Sequence, residues 1–358
     1  MPFFPLWLKA KGLEPGWIGV VLAIPTVARL TAVPLVTRTA ERHQALTHAI
    51  VATSMLTVAG FAVLAVMPGP LTIAAMLLVA ACAFTPTIPL TDAYALRGVA
   101  LHGADYGPIR LWGSAAYIAG VLAAGFVATA IAADRLILII VAVAILAAVS
   151  ALTLDPLAPV AARTTAPASS RSLLRQPAFV AIAVAAALIQ GSHAAYYSFS
   201  AIAWRAEGLS ATTISALWSL CIVAEIILFA VSPRLDLAYS TLIIVGGLGA
   251  ALRWAVTAWE PSIAVLIVVQ TMHALSFGAT HLGTMGLLAH RVPANSIATA
   301  QGYLAASIGL VSAAATVASG SLFNGYGQSI YYGAAVMAAA GALVMLAMRR
   351  QVEGGAPG

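Results

Sequence analysis

The chain has 358 residues, 62% of them hydrophobic and only 8% charged, with a net charge of +6 and two cysteines. Soluble domains carry about a quarter charged residues, so this composition excludes a soluble globular protein and points to a membrane. The basic balance does not indicate nucleic acid, because the positive charges fall in short loops; Cys82 and Cys221 both fall in apolar stretches, which argues against a disulfide or a thiolate metal site.

The opening fragment, MPFFPLWLKAKGLEPG, reads as the outer end of a helix whose start is missing. Full spans are predicted at Trp17–Val36, Thr47–Met67, Leu71–Thr91, Ile109–Ala132 and Leu136–Thr153. A polar stretch containing Pro, Ser and Arg, Asp155–Pro177, follows. Six more spans come after it: Ala178–Trp204, Ala211–Pro233, Thr241–Trp259, Ser262–Ala289, Ser296–Phe323 and Ile330–Met348. Each apolar run is about twenty residues, enough for a helix to cross the hydrocarbon core. None alternates polar and apolar residues as the strands of an outer-membrane barrel do. The expected fold is therefore an all-α membrane protein of eleven full spans plus a fragment. Its expected plan is an N-terminal helical half (1–154), a linker (155–177), a six-helix half (178–350) and a tail (351–358).

Eleven of the Lys and Arg residues fall on the linker side, and Lys9, Lys11, Arg135 and Arg205 on the other. The excess of positive charge marks the cytoplasmic face, so linker and C-terminus are expected inside and residues 1–16 outside, in the inner (cytoplasmic) membrane. A six-plus-six plan then needs roughly ten to fifteen residues before Met1. Either the N-terminus is external as it stands, or Met1 is an internal start.

Six ionisable positions lie within apolar helices: Arg29, His193, Glu225, Arg253, His273 and His281; Asp92 is expected at the cytoplasmic end of its span. A charge at a helix centre costs about 2.5–3.5 kcal/mol to insert, so such groups face a bundle interior or a watered cavity. Intervals of three and four put residues on one helical face. Gln190, His193, Tyr197, Ser200 and Trp204 recur that way, as do Gln270, His273, Phe277, Thr280 and Thr284; Glu225 shares a stripe with Trp218, Cys221 and Ser232. Counted at ~1.5 Å per residue, His193, Glu225 and His273 lie about 16, 22 and 18 Å deep, near the midplane. Each has a plainer reading: a lone histidine bonded to a carbonyl, an aromatic stripe that only packs, a Glu225–Arg253 pair that only stabilises, and an Arg29 that serves carbonyls freed by Pro25 and Pro34. No metal-ligand spacing such as H-E-x-x-H occurs, nor two carboxylates in one span, so neither an enzyme nor a bound cofactor is expected.

Several motifs resemble one family. LVTRTAERH (35–43), with Glu41 and Thr37 as departures, is similar to the short loop motif of the major facilitator superfamily. PLTDAYAL (89–96), YGPIRLWGSAAYIAG (106–120), GSHAAYYSFSAIAWRAEGLS (191–210), AEIILFAVSPRL (224–235) and SFGATHLGTMGLLAHRVP (276–293) resemble the branch containing 3-phenylpropionate permeases, related to lactose permease and nucleoside:proton symporters. The resemblance implies two six-helix halves around a cavity that opens alternately to each side, driven by proton movement, with Glu225, Arg253 and His273 in the spans where lactose-permease relatives carry a Glu, an Arg and a His.

The chemistry expected of these residues is proton-coupled import of a small organic solute, an aromatic carboxylate such as 3-phenylpropionate. A proton-driven exporter of drugs or metabolites is the alternative. Glu225 is the expected proton carrier, because low dielectric disfavours its charge while a nearby Arg253 or protonated His273 favours it. His193 belongs to the same coupling set. Arg29 or Arg253 would clamp the substrate carboxylate, Tyr197, Phe277 and Trp218 would wall its ring, and Gln190 and Gln270 would add polar contacts. Asp92 and Arg110 are expected to pair as a structural tie or gate latch, with Glu41 in the loop motif. The partners expected are the solute, protons and the lipid bilayer, around a monomer.

Overall fold

A computed structural model describes residues 3–102, 106–156, 170–292 and 297–354. Among them the chain is helical and has no strand. By length and composition, nine helical stretches in these residues can cross a membrane. One of them, Thr299–Glu353, runs through two helices, and Ala115–Ala130 is a shorter apolar helix. The all-α membrane fold expected from composition is the observed one.

The first compact unit comprises Met1–Arg163 with Trp204–Ser215. Its helices are α1 (Phe4–Ala10), α2 (Pro15–Arg42), α3 (Leu46–Val66), α4 (Pro70–Phe84), α5 (Thr87–His102), α6 (Tyr106–Ala130) and α7 (Ile137–Leu152). The fragment α1 is anchored: Trp7 is fully buried and donates its indole N–H to the Asp134 carbonyl at 2.9 Å. That contact joins α1 to the α6–α7 connection. Toward the other end, Ala40, Leu46, Ile50, Leu90 and Ala151 form a buried cluster.

The helix after α4 runs further than its hydropathy suggests. Asp92 is expected at a span end, but α5 continues past it to His102. Ala93–His102 holds Ala, Leu and Arg, good helix formers, so the helix carries on where hydrophobicity stops. Asp92 is therefore an intrahelical residue, half-buried.

The second unit comprises Thr164–Ala203 and Ala216–Gly358. The remaining helices are α8 (Pro177–Gly191), α9 (Ala194–Ala206), α10 (Ala211–Val231), α11 (Tyr239–Thr257), α12 (Ile263–Thr271), α13 (Thr280–Arg291), α14 (Ile297–Tyr326) and α15 (Ile330–Glu353), with a six-residue π-helical segment, Ala274–Ala279, between α12 and α13. Small residues let the backbones close up: a methyl group at Gly246 of α11 would come within 3.0 Å of the Leu275 carbonyl oxygen in the π segment. Close approach through small residues is how membrane helices pack when lipid is as apolar as their side chains.

Candidate functional site

Two interruptions of regular helix build the site. The first lies between α8 and α9. His193 N bonds the Gln190 carbonyl at 3.2 Å rather than that of Ile189. The freed Ile189 carbonyl accepts from the Ser192 hydroxyl at 2.6 Å and from His193 Nδ1 at 3.1 Å. Polar side chains thus satisfy a backbone group that has no water to turn to. The Ser192 hydroxyl also accepts the Trp254 indole N–H at 2.9 Å, tying the break to α11.

The second interruption is the π segment, an insertion of the kind that re-aims side chains and recurs at functional sites. Regular spacing predicts one face holding Gln270, His273, Phe277, Thr280 and Thr284. The inserted residue splits that face. His273, Phe277 and His281 stack in a row, with ring centroids 5.2 and 6.2 Å apart. Ser276, Thr280 and Thr284 are buried, as are Gln270 and His273, while Phe277 is half-buried. Gly278 admits α10 beside the segment, where a Cβ would stand 2.9 Å from Leu228 Cδ2 and 3.5 Å from Glu225 Cγ.

Together these bring Glu225, His273, Arg253, Ser276 and His193 into one hydrogen-bonded chain. Glu225 Oε2 lies 3.3 Å from His273 Nε2. Arg253 Nη1 bonds His273 Nδ1 at 3.0 Å and Ser276 Oγ at 3.1 Å. Ser276 Oγ lies 3.1 Å from His193 Nε2. Most directions in this chain are forced. A guanidinium only donates and never loses its proton in a protein, so His273 Nδ1 is an acceptor and the ring proton is on Nε2, aimed at Glu225. At the other end a carbonyl only accepts, so His193 carries its proton on Nδ1, and its Nε2 accepts from Ser276. Of the two cations expected to favour the Glu225 charge, Arg253 or a protonated His273, this geometry suits Arg253 acting across a neutral imidazole.

Arg253 is fully buried. Its Nη2 bonds Gln270 Oε1 at 3.0 Å and Cys221 Sγ at 3.6 Å. Its guanidinium carbon lies 4.8 Å from the centre of the Tyr196 ring and 4.4 Å from that of Trp254, two cation–π contacts from rings that neighbour each other at 5.7 Å. Four of its five N–H groups are taken; Nε alone has no partner among the described residues. The Gln270 carbonyl oxygen also accepts from the Tyr196 hydroxyl at 3.0 Å and the Cys221 thiol at 2.8 Å. Among the described residues the guanidinium makes no direct ion pair. Its nearest bonded route to a carboxylate runs through His273 to Glu225, whose side chain is 16% exposed against 4% for His273. The carboxylate is thus the more exposed end of a buried polar core.

The other expected residues divide. Tyr197 is 41% exposed, and its ring lies 5.9 Å from His193 and 5.7 Å from Trp218. Trp218 is buried, stacks on Tyr196 at 4.9 Å and has no partner for its indole N–H among the described residues. Gln190 is half-buried at the helix break. Arg29 lies in the first unit, exposed on α2, with no hydrogen bond or ion pair among the described residues. The side chains of Arg110 and Glu41 lie outside the described residues, as does Arg163 of the linker, so the Asp92–Arg110 pair has no geometry here. Tyr196, Trp254 and Ser276 belong to the site without having been expected. Their only signals were adjacency to Tyr197, Arg253 and Phe277. Among the described residues no group of three or more His, Cys, Asp or Glu side chains could hold a metal ion.

A multi-pass α-helical membrane protein with a polar core buried among its helices has the build of a carrier. The chain belongs to the MFS_1 like family, whose profile matches residues 1–334, and so to the non-catalytic carriers, as a secondary transporter of a small organic solute. It is 33% identical over 348 residues to the "Probable 3-phenylpropionic acid transporter" of Escherichia coli (strain K12), covering 94% of this chain and 90% of that one. It is 26% identical over 282 residues to the "Maltose permease" of Geobacillus stearothermophilus, covering 77% and 71%. Its fold is similar to a crystal structure of the nucleoside transporter NupG, with a TM-score of 0.79 at 17% identity over 98% of this chain and 94% of that one. A point variant of NupG superposes at 0.81 and 16%, over 97% and 94%.

Proposed function

We propose that the protein imports an aromatic carboxylate together with a proton, and that 3-phenylpropionate is the compound to test first. The observation that carries the coupling half is the Glu225–His273–Arg253 chain. With Glu225 ionised, its charge balances the guanidinium across a neutral imidazole. With Glu225 protonated, the buried Arg253 charge is uncompensated, a costly state in low dielectric. One substrate anion carried with one proton moves no net charge, so the two travel together electroneutrally. Facing outward Glu225 loads; facing inward it releases, and the cycle resets.

The substrate carboxylate is assigned to Arg29. Arg253 is fully buried with four N–H groups occupied, whereas Arg29 is exposed in an apolar helix and has its planar fork free among the described residues. Tyr197, half-open beside Trp218 and His193, suits an aromatic ring. The 33% identity to a relative whose name specifies 3-phenylpropionic acid supports the choice of probe. In this reading the halves are 1–154 and 178–350, the linker and tail face the cytoplasm, and the protein works as a monomer driven by the proton gradient alone.

The test is uptake of labelled 3-phenylpropionate by cells, at pH 6 and pH 8, with and without a protonophore, for wild type and Glu225→Gln. Faster uptake at pH 6 that is lost with protonophore and lost in Glu225→Gln is the expected result. No uptake with protein present in the membrane removes this substrate. Uptake unchanged in Glu225→Gln removes Glu225 as carrier.

A further inference from the structure

The hydrogen-bond chain has two ends whose directions are chemically fixed, and they meet at one hydroxyl. From Ile189, the carbonyl forces His193 to donate from Nδ1, leaving Nε2 as an acceptor. From Arg253, the guanidinium forces the atom it touches to accept. Ser276 satisfies both at once: it accepts the Nη1–H at 3.1 Å and gives its own proton to His193 Nε2 at 3.1 Å. It is fully buried, so no water substitutes for it. Alanine offers neither half of this exchange. A hydroxyl is what the position requires.

The same Nη1 group holds His273 at Nδ1. Its two protons therefore divide between Ser276 and His273, and Ser276 sets the angle at which the other meets the imidazole. We propose that Ser276 is the positioning residue of the proton site: by anchoring Arg253 Nη1 it keeps the guanidinium on the far side of His273 and so leaves Glu225 free to hold a proton. It touches neither Glu225 nor any transported group and acts through Arg253. This inference rests on Glu225 being the proton carrier.

Loss of the hydroxyl changes the proton site in one direction by two routes. An Arg253 no longer held by Ser276 turns toward Glu225 and favours its charged form. A His273 whose Nδ1 is no longer occupied by Arg253 becomes free to take a proton there, which also favours the charged carboxylate. The other ionisable groups around the cluster are His193 from the α8–α9 break, Tyr196 from α9, Cys221 from α10 and His281 from α13. Of these, His193 is altered directly, because Ser276→Ala removes the hydroxyl that donates to its Nε2, whereas Ser276→Thr keeps it.

The experiment needs no substrate. Infrared difference spectra of the purified full chain in lipid bilayers follow the protonated carboxyl band during a pH titration, the band being assigned by its absence in Glu225→Gln. In Ser276→Ala the band is expected only at more acidic pH, its midpoint displaced by about one unit, a tenfold change in proton affinity. Ser276→Thr, which keeps the hydroxyl, returns the midpoint to within a few tenths of wild type. Ser276→Cys, close in size with a weak acceptor, falls between and serves if the alanine variant does not accumulate. A Ser276→Ala or Ser276→Cys midpoint equal to wild type overturns the positioning role while leaving Glu225 as carrier. A wild-type spectrum with no titrating Glu225 band overturns the carrier reading and this inference with it.

Discussion

Arg253 Nη1 meets His273 Nδ1 at 3.0 Å, and the opposite ring nitrogen stands 3.3 Å from Glu225. Because the guanidinium has no acceptor to offer, this contact fixes His273 as a neutral bridge. A side chain that also accepts at one end and donates at the other should substitute for it. His273→Gln is therefore expected to keep measurable pH-driven uptake, and His273→Phe to lose at least about tenfold in initial rate, about 1.4 kcal/mol. Equal loss in both variants, at equal protein amount, would count against the bridge.

The two intramembrane arginines should fail differently. Arg253→Ala strands Gln270 and His273, which Arg253 now satisfies, and costs about 3 kcal/mol or more in stability. Its melting temperature in detergent should drop by several degrees. Arg29→Ala removes an exposed side chain and should stay within about 0.5 kcal/mol of wild type. Its KM for the carboxylate should nevertheless rise about tenfold or more. An unchanged KM in Arg29→Ala rules it out as the anion anchor.

Tyr197 is the open member of the aromatic group, 41% exposed beside the buried Trp218. If it receives the substrate ring, Tyr197→Ala raises KM roughly two- to twelvefold, matching the ~0.5–1.5 kcal/mol of an aromatic pair. Tyr197→Phe keeps the ring and should keep the KM. Competition by non-aromatic acids of the same length separates ring contact from general packing, because only the aromatic acid should lose affinity in the alanine variant.

Asp92 sits within α5 rather than at its end. As a structural tie its replacement by Asn lowers the amount of protein more than the rate per molecule. Quantitative blots alongside uptake rates read this directly, and normal abundance with abolished transport would instead make Asp92 part of the gate.

Acid should accelerate transport in wild type and leave Glu225→Gln indifferent. Wild-type uptake is expected to rise from pH 8 to pH 6, because the proton is a co-substrate. Glu225→Gln, whose amide carries no titratable proton, should give a flat profile, with counterflow exchange at symmetrical pH as its residual activity. A sloping profile in Glu225→Gln would assign the coupled proton to another group.

Hydropathy and charge are properties of short stretches, so the sequence by itself determined the all-α membrane class and the apolar runs that became helices. It also picked out Glu225, Arg253 and His273 as costly groups in apolar runs, since the insertion penalty applies wherever the helix packs. Uniform helical spacing is what misled. It assumes unbroken 3.6-residue turns, and the α8–α9 break and the π segment violate that at the site itself. Only the tertiary structure brought in Ser276, Tyr196 and Trp254, because Ser276 meets Arg253, Tyr196 meets Arg253 and Trp254 meets Ser192 across more than twenty positions of sequence. It also separated a buried arginine with four of its five N–H groups occupied from one left exposed. Hydrogen-bond saturation depends on partners from other helices, and no local pattern records them.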